Sequence, residues 1–146
     1  MSLSPFPILV PALSYTAQVT ASNFYSGAGS ATAQGDALVG RTSGSGFNAG
    51  GFATQYVQLE LASSASVCQI ALLISQSPSG TTQHILSAGA TASSLSTVTT
   101  HTGFTTSGQW LNTTYSPCLS GIRFIRVTTT SSPSWVAWVR FLVSGV

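Results

Sequence analysis

The chain has 146 residues, 43% hydrophobic and only 4% charged: four Arg, Asp36, Glu60 and no Lys. A net charge of +2 from four scattered arginines makes no phosphate-tracking stripe, so the sequence argues against nucleic-acid binding. A mean hydropathy of +0.35 does not fit a disordered Ser/Thr tail, and no run reaches the roughly 18 apolar residues of a membrane span. With 25 Ser and 19 Thr, neutral hydroxyls must wet the surface in place of charges. β-branched and aromatic residues recur in short runs broken by 14 Gly and 6 Pro, which predicts an all-β chain.

Residues 1–12 read as an extended arm and 13–146 as one β-sandwich domain. The arm lacks a basic start, and Pro5, Pro7 and Pro11 interrupt its apolar stretch, so it is no recognisable signal peptide. Its Phe6, Ile8 and Leu9 are the expected contacts with a neighbouring subunit or partner, because Pro keeps the segment out of a regular central strand. A first strand is predicted over Ser14 to Thr20, followed by a long small-residue stretch from Gly27 to Gly51. Tyr56 to Leu61 alternates cleanly, with Val57, Leu59 and Leu61 facing the core. Val67 to Ser75 follows, with Ile70 and Leu72 inward. The Ser77–Gly80 turn leads into Thr81 to Ala88, and a weaker strand lies near Leu95 to Thr100. Ile122 to Val127 is a strand carrying Ile125 and Val127 on its core side. In the last strand, Trp135 to Val143, one row reads Trp135, Ala137, Val139, Phe141 and Val143, the other Val136, Trp138, Arg140 and Leu142. Six or seven short strands without a helix imply a sandwich of immunoglobulin or jelly-roll type.

Several of these runs together resemble the discoidin or coagulation factor 5/8 type C family of galactose-binding-like jelly rolls. They are Ala21-Ser22, Gly35 to Gly40, Gln55 to Leu61, Pro78 to His84, Gly121 to Val127 and Ser134 to Trp138, in the family's order over about residues 13 to 145. Phe47 or Phe52 stands where the family has a tryptophan before the Gln-Tyr-Val-Gln-Leu strand, and Arg140 replaces an acidic residue common in the last strand. The resemblance implies a non-catalytic module that recognises glycans, lipid head groups or protein surfaces through loops at one end of the sandwich. It also raises a structural calcium, but only Asp36 offers a carboxylate in the early loop, so the residues give that metal no support and no cofactor is expected.

The chemistry points the same way. Glycoside hydrolysis needs paired carboxyl groups, and Glu60, on the solvent side of its strand, is expected to pair with Arg126 instead. No Gly-x-Ser-x-Gly elbow is present, and His84 is expected to cap or pack its strand, so the chain reads as no enzyme. Sugar binding needs an aromatic face and a few donors, for which the candidates are Arg41, Phe47, Asn48, Trp110 and Trp135. Trp135 falls on the apolar row and points toward core packing, which makes Trp110 the better of the two. Trp138 and Arg140 lie off that row and suggest a protein interface, hence a homo-oligomer or multi-copy assembly. Cys68 and Cys118 are either one disulfide or two buried thiols, and the sequence leaves both open. The expected partners are a glycan or proteins of a cell or particle surface, outside the cell. A second reading is a structural virion protein, such as a phage decoration, tail or fibre component.

Overall fold

The computed structural model describes residues 12–146. In chain order its elements are α1 (Ala12–Tyr15), β1 (Gln18–Ala21), α2 (Ala31–Leu38), β2 (Phe47–Asn48), β3 (Gln55–Ser75), β4 (Gly80–Gly89), β5 (Ser96–Thr105), β6 (Trp110–Ser131) and β7 (Ala137–Gly145). The arm call, with Phe6, Ile8 and Leu9, lies outside the described residues.

The long strands β3 and β6 organise everything else. They run antiparallel, in register from Gln55↔Thr129 to Glu60↔Phe124, then through a series of bulges, then again from Gln69↔Thr114 to Leu73↔Trp110. Bulges bend a strand and sharpen its twist, so both strands leave one layer and enter the other. The first layer holds β1, the start of β3, the end of β6, then β4 and the edge strand β5. The second holds β2, β7, the end of β3 and the start of β6. The result is an antiparallel jelly-roll sandwich. Val57, Leu59, Leu61, Ile70, Leu72, Ile125, Val127 and Phe141 all lie in its single buried cluster, as their period-two phase predicts.

Three expectations need correction. The first concerns β7. Leu73 pairs with Arg140 but Ile74 with Trp138, so Val139 is an extra residue and the inward phase flips across it. Val136 and Trp138 point inward before the bulge, Phe141 and Val143 after it, and Val139 is only half-buried. Trp138 is therefore core, not interface; Arg140 donates to the Gly44 carbonyl at 2.9 Å. The neighbouring loop crosses so close to the bulge that a Cβ on Gly46 (φ +102) would stand 2.3 Å from the Trp138 carbonyl oxygen.

The second correction is α2, which occupies part of the supposed small-residue loop. Ser30 caps it by accepting the Ala33 N–H at 3.1 Å, and its Gly35 lets the helix lie against Val19. The first strand is correspondingly shorter, since Ser14 belongs to α1 and its hydroxyl accepts the Val143 N–H at 2.9 Å. The third concerns Glu60. It pairs with Arg123 at 3.3 Å, while Arg126 donates to Gln58 and lies 4.0 Å over the Tyr56 ring. Cys68 and Cys118 are joined by a disulfide.

Candidate functional site

Five connections gather at one end of the sandwich: four join strand ends of the two layers there, and the first leads from the end of β1 into α2. They are residues 22–30, 49–54, 76–79, 106–109 and 132–136. Backbone hydrogen bonds pin them to one another and to the strands. Tyr25 N–H donates to the Asn48 carbonyl, Ala49 N–H to Val136, Val136 N–H to Gly51 and Gly108 N–H to Ile74, all at 2.8–2.9 Å. Gln34, buried on α2, donates to the Tyr25 and Gly29 carbonyls at 2.9 Å each and accepts the Asn48 N–H at 2.8 Å. With both its amide atoms satisfied, this side chain anchors the Tyr25 loop to the helix. Such cross-tied loops are pre-organised, so little ordering cost remains for a ligand to meet.

Large aromatic rings collect on this end. Tyr25 and Trp135 meet edge to face at 5.5 Å, Trp135 is 43% exposed, and nearby Phe52 is 61% exposed. Phe24 is exposed beside Tyr25. On the far side of the 76–79 turn stand Phe104, 68% exposed, and Trp110, 45% exposed. None of the five connections contains an Asp, Glu, Lys, Arg or His side chain. Exposed rings on a rigid, uncharged surface suit a flat ligand face with many hydroxyls.

The sequence candidates separate here. Trp135 and Trp110 stand exposed at this end. Phe47 is buried against Trp138, with ring centroids 6.3 Å apart. Asn48 is half-buried, its Oδ1 accepting the Gly50 N–H, and it lines a depression of about 130 Å³ with Ser75 and Ala137. Arg41 lies elsewhere: its guanidinium holds Asp36 at 2.9 Å and donates to the Tyr15 and Ala17 carbonyls. The Asp36 carboxylate thus serves an arginine, and the other acidic side chain, Glu60, sits on β3 with Arg123. Among the described residues no group of three His, Cys, Asp or Glu side chains comes together.

Sequence reasoning missed Phe24, Tyr25, Phe52 and Phe104. Their shared signal is an aromatic residue next to a Gly or a turn and outside any alternating run, as in Phe24-Tyr25-Ser26-Gly27, Gly51-Phe52 and Gly103-Phe104. It also separated two histidines that the fold unites, since His84 and His101 face each other across β4 and β5. Thr129 accepts from the Trp138 indole N–H at 3.0 Å and lies 2.7 Å from His84 Nδ1. The other ring nitrogen, His84 Nε2, is buried and has no hydrogen-bond partner among the described residues. Burial pushes the His84 pKa down to about 4, helped by His101; burial lowers that of His101 as well.

No family model and no curated protein sequence matches this chain. Solved structures do resemble it. The CBM32 module of AlyQ, in complex with 4,5-unsaturated mannuronic acid, is 22% identical with a TM-score of 0.66, the match covering 86% of this chain and 92% of that one. The family 32 CBM from C. perfringens NanJ, in complex with galactose, is 14% identical with a TM-score of 0.68, covering 93% and 97%. A chitosan-binding module from a Paenibacillus sp. IK-5 chitosanase/glucanase is 19% identical with a TM-score of 0.67, covering 91% and 98%. The fold is thus the galactose-binding-like jelly roll shared by these modules and by discoidin domains.

Proposed function

We propose that the protein is a non-catalytic glycan-binding module whose loop end receives a neutral sugar on the rings of Trp135 and Tyr25. The observation that carries this reading is the aromatic cluster itself, exposed on cross-tied loops that hold no charge. A pyranose presents an apolar face to a ring and hydroxyls to its edge. Phe52 extends the apolar wall, and the exposed Asn23 and Ser79 stand ready as neutral hydrogen-bonding groups. The galactose held by the similar C. perfringens NanJ module supports the same class of ligand.

The reading excludes hydrolysis by paired carboxylates, since Asp36 and Glu60 are tied to different arginines on different elements. It places the protein outside the cell, where a disulfide persists and where polysaccharides and surface glycans are found. Tryptophan fluorescence tests it directly. Titration with galactose, N-acetylgalactosamine, glucose, N-acetylglucosamine and lactose should reveal at least one ligand, and Trp135→Ala should weaken it roughly tenfold or more. A variant that binds as well as the wild type would overturn the assignment.

A further inference from the structure

Tyr25 carries half of the aromatic pair at the loop end, and its main chain has little freedom left. Its N–H donates to the Asn48 carbonyl at 2.9 Å, and its carbonyl accepts both the Gln34 side-chain amide at 2.9 Å and the Ala28 N–H at 3.0 Å. From the 49–54 connection Gly50 (φ +78) comes so close that a Cβ there would stand 3.2 Å from the Tyr25 nitrogen and from the Phe24 carbonyl group. With both backbone polar groups engaged, only the side-chain torsions of Tyr25 are left to decide where its ring lies.

Gly27 decides it. The chain makes a single 3-10 turn over Ser26–Ala28, and the Tyr25 ring folds forward onto it. A Cβ on Gly27 would stand 2.5 Å from the Tyr25 hydroxyl oxygen, 2.7 Å from Cε2 and closer still to Cζ, nearer than a side-chain carbon approaches other atoms. The phenol end therefore rests on the bare glycine, and Trp135 meets the same ring edge to face at 5.5 Å. Gly27 is not one of the glycines with positive φ, so its backbone conformation is open to any residue. What the ring requires is the missing methyl group. The three atoms that a methyl would strike all belong to the far end of an exposed side chain, so the ring would swing outward and the backbone would keep its course.

We propose that Gly27 is a positioning residue of the sugar site: by lacking a side chain it seats the Tyr25 ring against Trp135, and a neutral pyranose binds at full strength only to the seated pair. The inference rests on the glycan-binding reading and names what sets the geometry of that site. A ring held in place before the ligand arrives has little freedom to lose on binding, whereas a displaced ring must be reordered and withdraws one apolar surface from the sugar.

Gly27→Ala, Tyr25→Ala and the double variant, compared with the wild type, test this by fluorescence titration with the best neutral sugar and by the NMR signals of the tryptophan indole N–H groups. Gly27→Ala should weaken binding about three- to tenfold, as Tyr25→Ala does, with a thermal midpoint within about 2 °C of the wild type. In the Tyr25→Ala background the further change Gly27→Ala should leave affinity where it is, because the ring it acts through is gone. The Trp135 indole signal should shift in both single variants as the Tyr25 ring current leaves it. Wild-type affinity in Gly27→Ala, beside weakened binding in Trp135→Ala, overturns the positioning role and leaves the proposed function standing. A second loss of affinity in the Tyr25→Ala background, an unmoved Trp135 signal or an unfolded Gly27→Ala chain overturns it too, since the methyl would then act on the ligand or the backbone and not through the ring. Failure of the wild type to bind any of the five sugars overturns both.

Discussion

The two ends of the sandwich use the same few residue types to opposite effect. At the loop end, aromatic rings stand in water and the connections carry no charge. At the other end β3 and β6 bend between layers, and Cys68 and Cys118 join the two strands near their bends. There Ser66 and Val146 exchange backbone hydrogen bonds, and Arg41 draws together Asp36, Tyr15 and Ala17. One end is closed by covalent and charged ties. The other is held by backbone hydrogen bonds and leaves its apolar surface unspent. The difference teaches that exposure at the loop end is not a failure of packing, since the same chain buries Trp138 completely three residues from an exposed Trp135.

That pair of tryptophans gives the largest expected effect. Trp138→Ala removes a fully buried ring and the donor to Thr129, and should cost about 3–5 kcal/mol in urea unfolding. Trp135→Ala should cost less than about 1.5 kcal/mol, the worth of its contact with Tyr25, while weakening sugar binding roughly tenfold or more. Equal losses of stability would erase the contrast between the two rings.

The closed end should respond next. The Cys68–Cys118 link spans 50 residues, and closing a loop of that length restricts the unfolded chain by up to about 4 kcal/mol. Replacing both cysteines with Ala should lower the thermal midpoint and leave sugar affinity unchanged. A changed affinity would mean that the bends communicate with the loops.

Acid should test the buried histidine beneath the loop end. The folded pKa of His84 is about 4 against 6.5 in an unfolded chain, so the unfolded state binds the extra proton first. Its contribution is complete above pH 6.5 and falls away as pH drops toward 4, by on the order of 3 kcal/mol in all. Urea midpoints between pH 7 and 4.5 should fall more steeply in the wild type than in His84→Gln. Parallel curves would show that His84 does not carry the difference.

The sequence made the fold legible where alternation was unbroken. In β3 before and after its bulges (Val57, Leu59, Leu61, then Ile70, Leu72, Ile74) and at Ile125 and Val127 of β6, a branched or large apolar residue at every other position leaves only one face for the core. It misled in β7 because a single bulge at Val139 reverses the phase, and nothing local distinguishes an extra residue from an ordinary one. The α2 helix escaped notice because Ala, Thr, Gln and Gly make a weakly amphipathic turn, stabilised by the Ser30 cap and by packing on β7. The candidate site was legible only through Trp110 and Trp135. Its other rings come from connections far apart in sequence, and only the jelly-roll crossing of layers brings them to one end.

The smallest effect expected is none at all, and it tests the character of the site most sharply. Two charges in water interact weakly beyond a Debye length, about 10 Å at 0.1 M salt and about 3 Å at 1 M. A ligand held by rings and neutral hydroxyls should therefore bind equally well at 50 mM and 1 M NaCl, whereas one held by a salt bridge should weaken. All six ionised side chains have engagements outside the loop end: Asp36 with Arg41, Glu60 with Arg123, Arg126 over Tyr56, and Arg140 on Gly44. Arg126 is the one to watch, because Tyr56 also accepts the Ser22 N–H from the first of the five connections. Fluorescence titration of the best neutral sugar across that salt range should give one dissociation constant, and galacturonic acid should bind no better than galactose. Affinity that declines with salt in the wild type but not in Arg126→Gln would bring the guanidinium into the site, and the ligand class would change from neutral to acidic glycans.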